Sequence, residues 1–195
     1  MAACASSGTL STPMPEAEEA TAPLGLMAFC QRHPERCARH ASANQRVPLT
    51  DKRWAQLEAV NKAVNAEITP MTDLDRYNRR EYWTMPISLS GGREGDCEDY
   101  ALEKRQALSD LGWPADSLRL AVAHSAWTGP HAVLVVVTAE GDFVLDNLTD
   151  QVKPWRRTPY EWRKRQSGGS SLAWRRIAAT PVRASVGGTF TGAER

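Results

Sequence analysis

Residues 131–148 read HAVLVVVTAEGDFVLDNL, and this stretch narrows the possible folds more than any other. Two apolar runs rich in β-branched residues flank AEGD, a turn signal, so the simplest arrangement is an antiparallel hairpin. LRLAVAHS at 118–125 supplies a third strand-like run just before it.

Helical periodicity precedes the strands. In TDKRWAQLEAVNKAVNAEITP, Trp54, Leu57, Val60, Val64 and Ile68 recur at steps of three and four. Thr50 or Asp51 can cap the start and Pro70 ends the segment, which predicts an amphipathic helix. MTDLDRYNRREYWTMPISLSGGREG then reads as an extended aromatic-bearing loop with a Gly-rich end. From Asp96 a second helix places Cys97, Tyr100, Ala101, Lys104, Leu108 and Leu111 along one side, and Gly112 with Pro114 stops it.

At 195 residues with 42% hydrophobic content the chain can fill one core. A net charge of +1 and a pI of about 7.7 demote nucleic acid and anionic membranes as partners. No apolar run approaches the roughly 20 residues of a spanning helix, so the chain is expected to have no transmembrane segment. Residues 1–22 are Ala, Ser, Thr, Pro and Glu with few large apolar side chains, and are expected to form a disordered leader or tether. The folded domain is assigned to 23–183 and a frayed tail to 184–195. The run from 153 to 183 is strongly basic, with Glu161 its one acid. It is read as a solvated face whose long side chains cover Trp155, Trp162 and Trp174 rather than as a binding patch.

The cysteines lie at 4, 30, 37 and 97. Cys4, in AAC followed by ASSG, resembles the acylated residue of a lipoprotein signal, although the apolar region such a signal needs is missing; a lipid anchor there requires a true start upstream. FCQRHPERCARH admits three readings: a Cys30–Cys37 disulfide, unpaired thiols, or a metal site using His33 and His40 as well. A continuous helix forbids the disulfide, because seven residues rise about 10.5 Å, but Pro34 can fold the segment back. A disulfide would imply an oxidising compartment.

Cys97 stands in GDCEDY, where Asp96, Glu98 and Asp99 crowd it. Negative neighbours oppose a thiolate, yet the first turn of a helix favours an anion. Downstream, His131 begins one strand and Asp146 ends the next. If the hairpin pairs in an odd register, the two share a face, opposite each other or one diagonal step apart; a shift by one residue separates them. Cys97, His131 and Asp146 would then fit nucleophile, base and orienter for thiol acyl transfer, with the Cys97 backbone N–H as an oxyanion donor. A bland reading makes them a core cysteine, a strand-end histidine and a turn former. Trp83, in EYWTMP, is a candidate second oxyanion donor, with a core role as its alternative.

GDCEDYALEKRQAL, HAVLVVVTAEGDFVLDNL and YEWRKRQS, with FCQRHPERC and EYWTMP, resemble the bacterial transglutaminase-like cysteine proteinases, the family that includes the LapG-type periplasmic proteases. The resemblance spans roughly residues 24–178. It implies an α+β fold with a papain-like, transglutaminase-like core, N-terminal helices packed on an antiparallel sheet and the nucleophile at a helix start. It further implies a Cys97–His131–Asp146 triad and a calcium ion beside the nucleophile, held by Asp96 and Glu98. Two or three carboxylates cannot supply the six to eight oxygens calcium takes, so Asp73 or Asp75, main chain or water would complete the site. The resemblance also implies a periplasmic enzyme cutting a protein substrate, such as a large surface adhesin, under an inner-membrane cyclic di-GMP receptor. Transfer of a glutamine acyl group to an amine on the same triad, and a non-catalytic envelope binding module, are the alternatives.

Overall fold

The computed structural model describes residues 12–37 and 46–178. Its frame is a seven-stranded antiparallel sheet in the order β1-β9-β8-β4-β5-β6-β7. The strands are β1 (Glu16–Ala20), β4 (Leu118–Ser125), β5 (Gly129–Thr138), β6 (Gly141–Asp146), β7 (Thr149–Pro154), β8 (Glu161–Gln166) and β9 (Trp174–Ile177). Two helices, α2 (Asp51–Glu67) and α4 (Cys97–Asp110), cover one face, and α1 (Leu24–Arg32) packs into the same core. This is the α+β, transglutaminase-like architecture expected from the sequence.

The central hairpin explains its own composition. Leu134 and Val136 of β5, with Phe143 and Leu145 of β6, join the helix-side core; Val133, Val135 and Val144 join a second cluster on the opposite face with Met14, Trp155 and Ile177. Both faces are covered, so the strands read as continuous apolar runs rather than alternating ones. Each fully buried Leu or Val contributes roughly 1.5–3 kcal/mol of burial energy.

Helix α2 begins at Thr50, whose side chain accepts a hydrogen bond from Arg53 N at 3.3 Å. Leu57, Val60 and Val64 of the predicted stripe are buried, and Trp54 meets Phe143 edge-on with ring centroids 5.4 Å apart. The loop after α2 is more structured than its sequence suggested. Thr72 caps a five-residue helix, α3 (Asp73–Tyr77), and the short strands β2 (Thr69–Pro70) and β3 (Glu94–Gly95) pair in parallel just before α4. Carboxylates of α4 pin the rest of that loop: Glu103 accepts from Ile87 N and Ser88 N, both at 2.9 Å, and Asp99 from Thr84 N at 2.8 Å.

The leader cannot run unordered to residue 22, because Glu16–Ala20 forms the edge strand β1 against β9 and Met14 N donates to buried Asp142 at 2.7 Å. An ion network fixes this strand: Glu16 accepts from Arg119 at 2.9 Å and Arg165 at 2.6 Å, while Arg165 also pairs with Asp142 at 2.5 Å. Long-range partners of this kind leave no local signal in an Ala/Glu-rich segment. Cys4 lies outside the described residues, as do His40 and residues 184–195.

Cys30 and Cys37 form a disulfide, with Cα atoms 5.5 Å apart. Helix α1 stops at Arg32 and a turn of 3₁₀ helix at Pro34–Arg36 brings the second cysteine back. The metal and free-thiol readings of this segment fall, since each sulfur is bonded to the other. The basic run forms β8, β9 and the segment before them. Arg156 lies over the Trp155 ring at 4.4 Å and Lys164 over Trp174 at 5.7 Å, as expected for a covering face, but Arg165 is buried.

Candidate active site

Helix α4 starts at Cys97, and its placement is set by the residues just before it. Gly95 is required by space: a Cβ there would come within 2.6 Å of Asp99 Oδ2. Asp96 occupies the N-cap position, yet its carboxylate makes no capping bond. Asp96 Oδ2 instead accepts a long bond from Asp73 N at 3.4 Å, and its Oδ1 is buried with no partner.

The thiol sits at the junction of α4 and the sheet. Ala132 N, the residue after His131, donates to Cys97 Sγ at 3.3 Å, which fixes the helix start against β5. Cys97 and His131 line one cleft of about 330 Å³, together with Pro23, Leu24, Trp83, Val122, Pro130 and Lys164. Trp83 is a core residue whose indole N–H donates to Glu81 at 3.1 Å.

The hairpin register decides where Asp146 falls. Leu134 pairs with Leu145 and Thr138 with Gly141, so one further step sets Asp146 across from Val133, a diagonal step from His131. This is the odd register that the sequence left open. His131 Nε2 lies 2.9 Å from Asp146 Oδ1, with both side chains buried. Leu148 N donates to the same oxygen at 3.1 Å, and the Tyr160 hydroxyl donates to Oδ2. Burial alone would raise the Asp146 pKa, but the bonds from His131 and Tyr160 outweigh it and hold the carboxyl below its usual value. From the helix layer, Asn61 Oδ1 accepts from Asp146 N at 3.1 Å and Asn65 Nδ2 donates to Asp146 O at 3.0 Å.

Sequence reasoning missed Asn61, Asn65 and Tyr160. Asn61 and Asn65 do stand one helical turn apart inside an otherwise apolar face of α2, an anomaly that could have marked them. Tyr160 carried no such signal beyond its place in YEWRKRQS.

The acids at the helix start form one cluster. Ligand atoms of Asp73, Asp96 and Asp99 lie within 4.8 Å of one another, as do those of Asp96, Cys97 and Glu98. Asp75 is not drawn in; it is bonded to Thr72 at the start of α3. Burial, then Asp96, pushes Glu98 up to about 10, and burial pushes Asp99 up to about 8. Cys97 Sγ donates to Glu98 Oε2 at 3.2 Å. Desolvation and the Glu98 charge therefore raise the thiol well above its ordinary value. The expected gain from the helix start does not prevail in this protonation state.

Comparison with known proteins bears on what such a site is for. The family model for the bacterial transglutaminase-like cysteine proteinases matches residues 16–181. The chain belongs to that family. Among solved structures it is similar to calcium-bound LapG of Legionella pneumophila, at 27% identity and a TM-score of 0.54, over 68% of this chain and 73% of that one. It is also similar to EGTA-treated LapG of the same organism, at 30% identity and a TM-score of 0.50, over 57% of this chain and 62% of that one. The shared part thus spans less than two thirds of the EGTA-treated LapG chain. No curated protein matches. No helix among the described residues is long and apolar enough to cross a membrane.

Proposed function

We propose that the chain is a calcium-dependent cysteine endopeptidase in which Cys97 is the nucleophile, His131 the acid and base, and Asp146 the orienter. The observation that carries this reading is that His131, paired through Nε2 with buried Asp146, lines the same cleft as the Cys97 thiol. Because Nε2 faces Asp146, Nδ1 is the nitrogen left to exchange a proton with the thiol. The Cys97 thiolate attacks the scissile carbonyl, His131 gives its proton to the leaving amine, and a thioester remains. His131 then takes a proton from water, which adds to the thioester carbonyl and releases Cys97. The Cys97 backbone N–H, at the open start of α4, would donate to the oxyanion.

The acidic cluster fits a cation. Asp96 Oδ1 and Asp99 Oδ2 are buried carboxylate oxygens without a hydrogen bond, and the carboxyls of Asp73, Asp96 and Asp99, with Glu98 close to Asp96, are hard oxygen donors of the kind calcium takes. Asp96 and Glu98, with Asp73 and Asp99, would hold the ion, water or main chain completing the shell. When bound, calcium supplies positive charge that cancels much of the repulsion opposing a thiolate at Cys97.

The substrate class we infer is an extended segment of an envelope or surface protein, such as an adhesin, met in the periplasm. The Cys30–Cys37 disulfide supports an oxidising compartment. An inner-membrane cyclic di-GMP receptor is the regulatory partner that the family resemblance suggests.

Labelling with a thiol-directed peptidase inhibitor, with and without calcium, followed by mass mapping tests the assignment. Calcium-enhanced modification at Cys97, lost with His131→Ala, is expected. Calcium-independent labelling of Cys97 at the rate of an unfolded thiol would refute it. Incorporation of a labelled primary amine into a glutamine-rich acceptor, with no peptide cleavage, would replace peptidase by acyl transferase.

A further inference from the structure

We propose that Tyr160 is a positioning residue for this centre: its hydroxyl holds the Asp146 carboxylate in the plane that presents Oδ1 to His131. The inference rests on the catalytic reading of Cys97, His131 and Asp146. A carboxylate anchored at one oxygen can still turn about its Cβ–Cγ bond, a torsion with broad wells. Asp146 Oδ1 is engaged by His131 and by Leu148 N, and Tyr160 engages Oδ2. Bonds to both oxygens define the plane. Burial and the neighbouring Asp146 charge keep the Tyr160 hydroxyl protonated, so it remains a donor.

Tyr160 is itself well placed to act as a fixed support. Its ring lies 5.3 Å from the His131 ring, centroid to centroid, so one residue touches both members of the pair. Trp162 packs edge-on against Tyr160 at 5.9 Å, and Trp155 edge-on against Trp162 at 6.4 Å. Trp155 Nε1 donates to Thr12 O at 2.7 Å, and the Thr158 hydroxyl to Trp155 O at 2.6 Å. The chain leaves β7 at one edge of the sheet and re-enters at β8, beyond β4, β5 and β6. The crossing passes over the sheet face opposite the helices, where Trp155 is buried and Tyr160 and Trp162 pack against the same cluster. The aromatic row is thus a brace laid against the back of the His131–Asp146 pair.

The test uses the full chain in millimolar calcium, with iodoacetamide as the probe and modification mapped to Cys97, alongside the downfield proton resonance of the His131 N–H. In Y160F, loss of one charge-assisted hydrogen bond is expected to slow alkylation of Cys97 about tenfold and to shift the His131 resonance. If wild-type Cys97 reacts no faster than a thiol in the urea-unfolded chain, the catalytic reading fails, while the resonance still reports on positioning. If wild type reacts fast and Y160F matches it with an unmoved resonance, the positioning role is overturned. Should Y160F melt well below wild type, D142A serves as the second variant, since it weakens the sheet at the Gly141 end of the hairpin and keeps both the hydroxyl and its aromatic support. An unmoved resonance in D142A supports the role of the hydroxyl, and a shift equal to that of Y160F overturns it.

Discussion

Cys97 Sγ donates to Glu98, and Glu98 in turn shares its surroundings with Asp96 and Asp73, so the thiol titrates within an acidic cluster. Glu98 is pushed to about 10 and Asp99 to about 8, against roughly 4 for either in an unfolded chain. Both carboxyls therefore bind protons more tightly when folded. Their contribution to stability is full below the unfolded values and is lost as pH rises toward the folded ones. Without calcium, the melting temperature is expected to fall as pH rises from about 4 through about 8, where the Asp99 part of the loss is complete, and on toward about 10 for Glu98, and millimolar calcium should flatten that fall. Parallel melting curves with calcium and with chelator would remove the cation from the account. The same cluster predicts that chelation slows Cys97 alkylation and that E98Q abolishes its recovery on adding calcium. Rates measured before and after calcium addition check this.

Helix α4 does more than present a thiol. Lys104, two turns after Cys97, is fully buried; its amine has no hydrogen-bond partner and lies 5.7 Å from the Tyr100 ring. Desolvation draws it down to about 7 despite the nearby charges of Asp146 and Asp150. An unsatisfied buried polar group costs roughly 1–3 kcal/mol, so K104M should raise stability by about that amount and the melting temperature by several degrees. Urea unfolding at pH 7 would check it, and a destabilised variant would mean the amine is satisfied by water. At the other end of the helix layer, the disulfide ties α1 to the turn after it. Closing so short a loop contributes about 2–3 kcal/mol in the chain-entropy account, and C30A/C37A is expected to lose it. Arg32 still donates to Trp83 O at 2.6 Å in the folded protein, so Cys97 alkylation in the double variant should persist below its melting point.

Over the whole molecule, the sheet is closed at its β1 edge by charge rather than by apolar packing. Asp142, Arg165, Arg119 and Glu16 join β6, β8, β4 and β1 in one network, buried at Asp142, Arg165 and Arg119 and open to solvent at Glu16. Breaking such a network strands a buried charge, and D142A is predicted to cost about 3–5 kcal/mol. Thermal melts read the loss. The network lies at the Gly141 end of the hairpin, whereas the candidate centre lies at its Asp146 end, so calcium-stimulated alkylation should survive at temperatures where D142A remains folded.

Elements with a strong local period could be read directly from the chain. The α2 stripe, the α4 start at Cys97 and the hairpin from His131 to Asp146 are each written within about 20 residues, and Pro34 permitted a fold-back at Cys30 and Cys37 without choosing between a disulfide, free thiols and a metal site. Candidate nucleophile, base and orienter followed from those elements and from the family resemblance. What the sequence could not supply were the relations between elements. Whether Asp146 shared a face with His131 depended on a one-residue register, which alternation alone does not choose when both faces are apolar. Asn61 meets Asp146 across a separation of 85 residues, and Glu16 meets Arg165 across 149. Pairings at such distances are selected by the simultaneous packing of the whole core, and no local pattern encodes them. Tyr160 belongs to that class: only the crossing from β7 to β8 brings its hydroxyl to the carboxylate it holds.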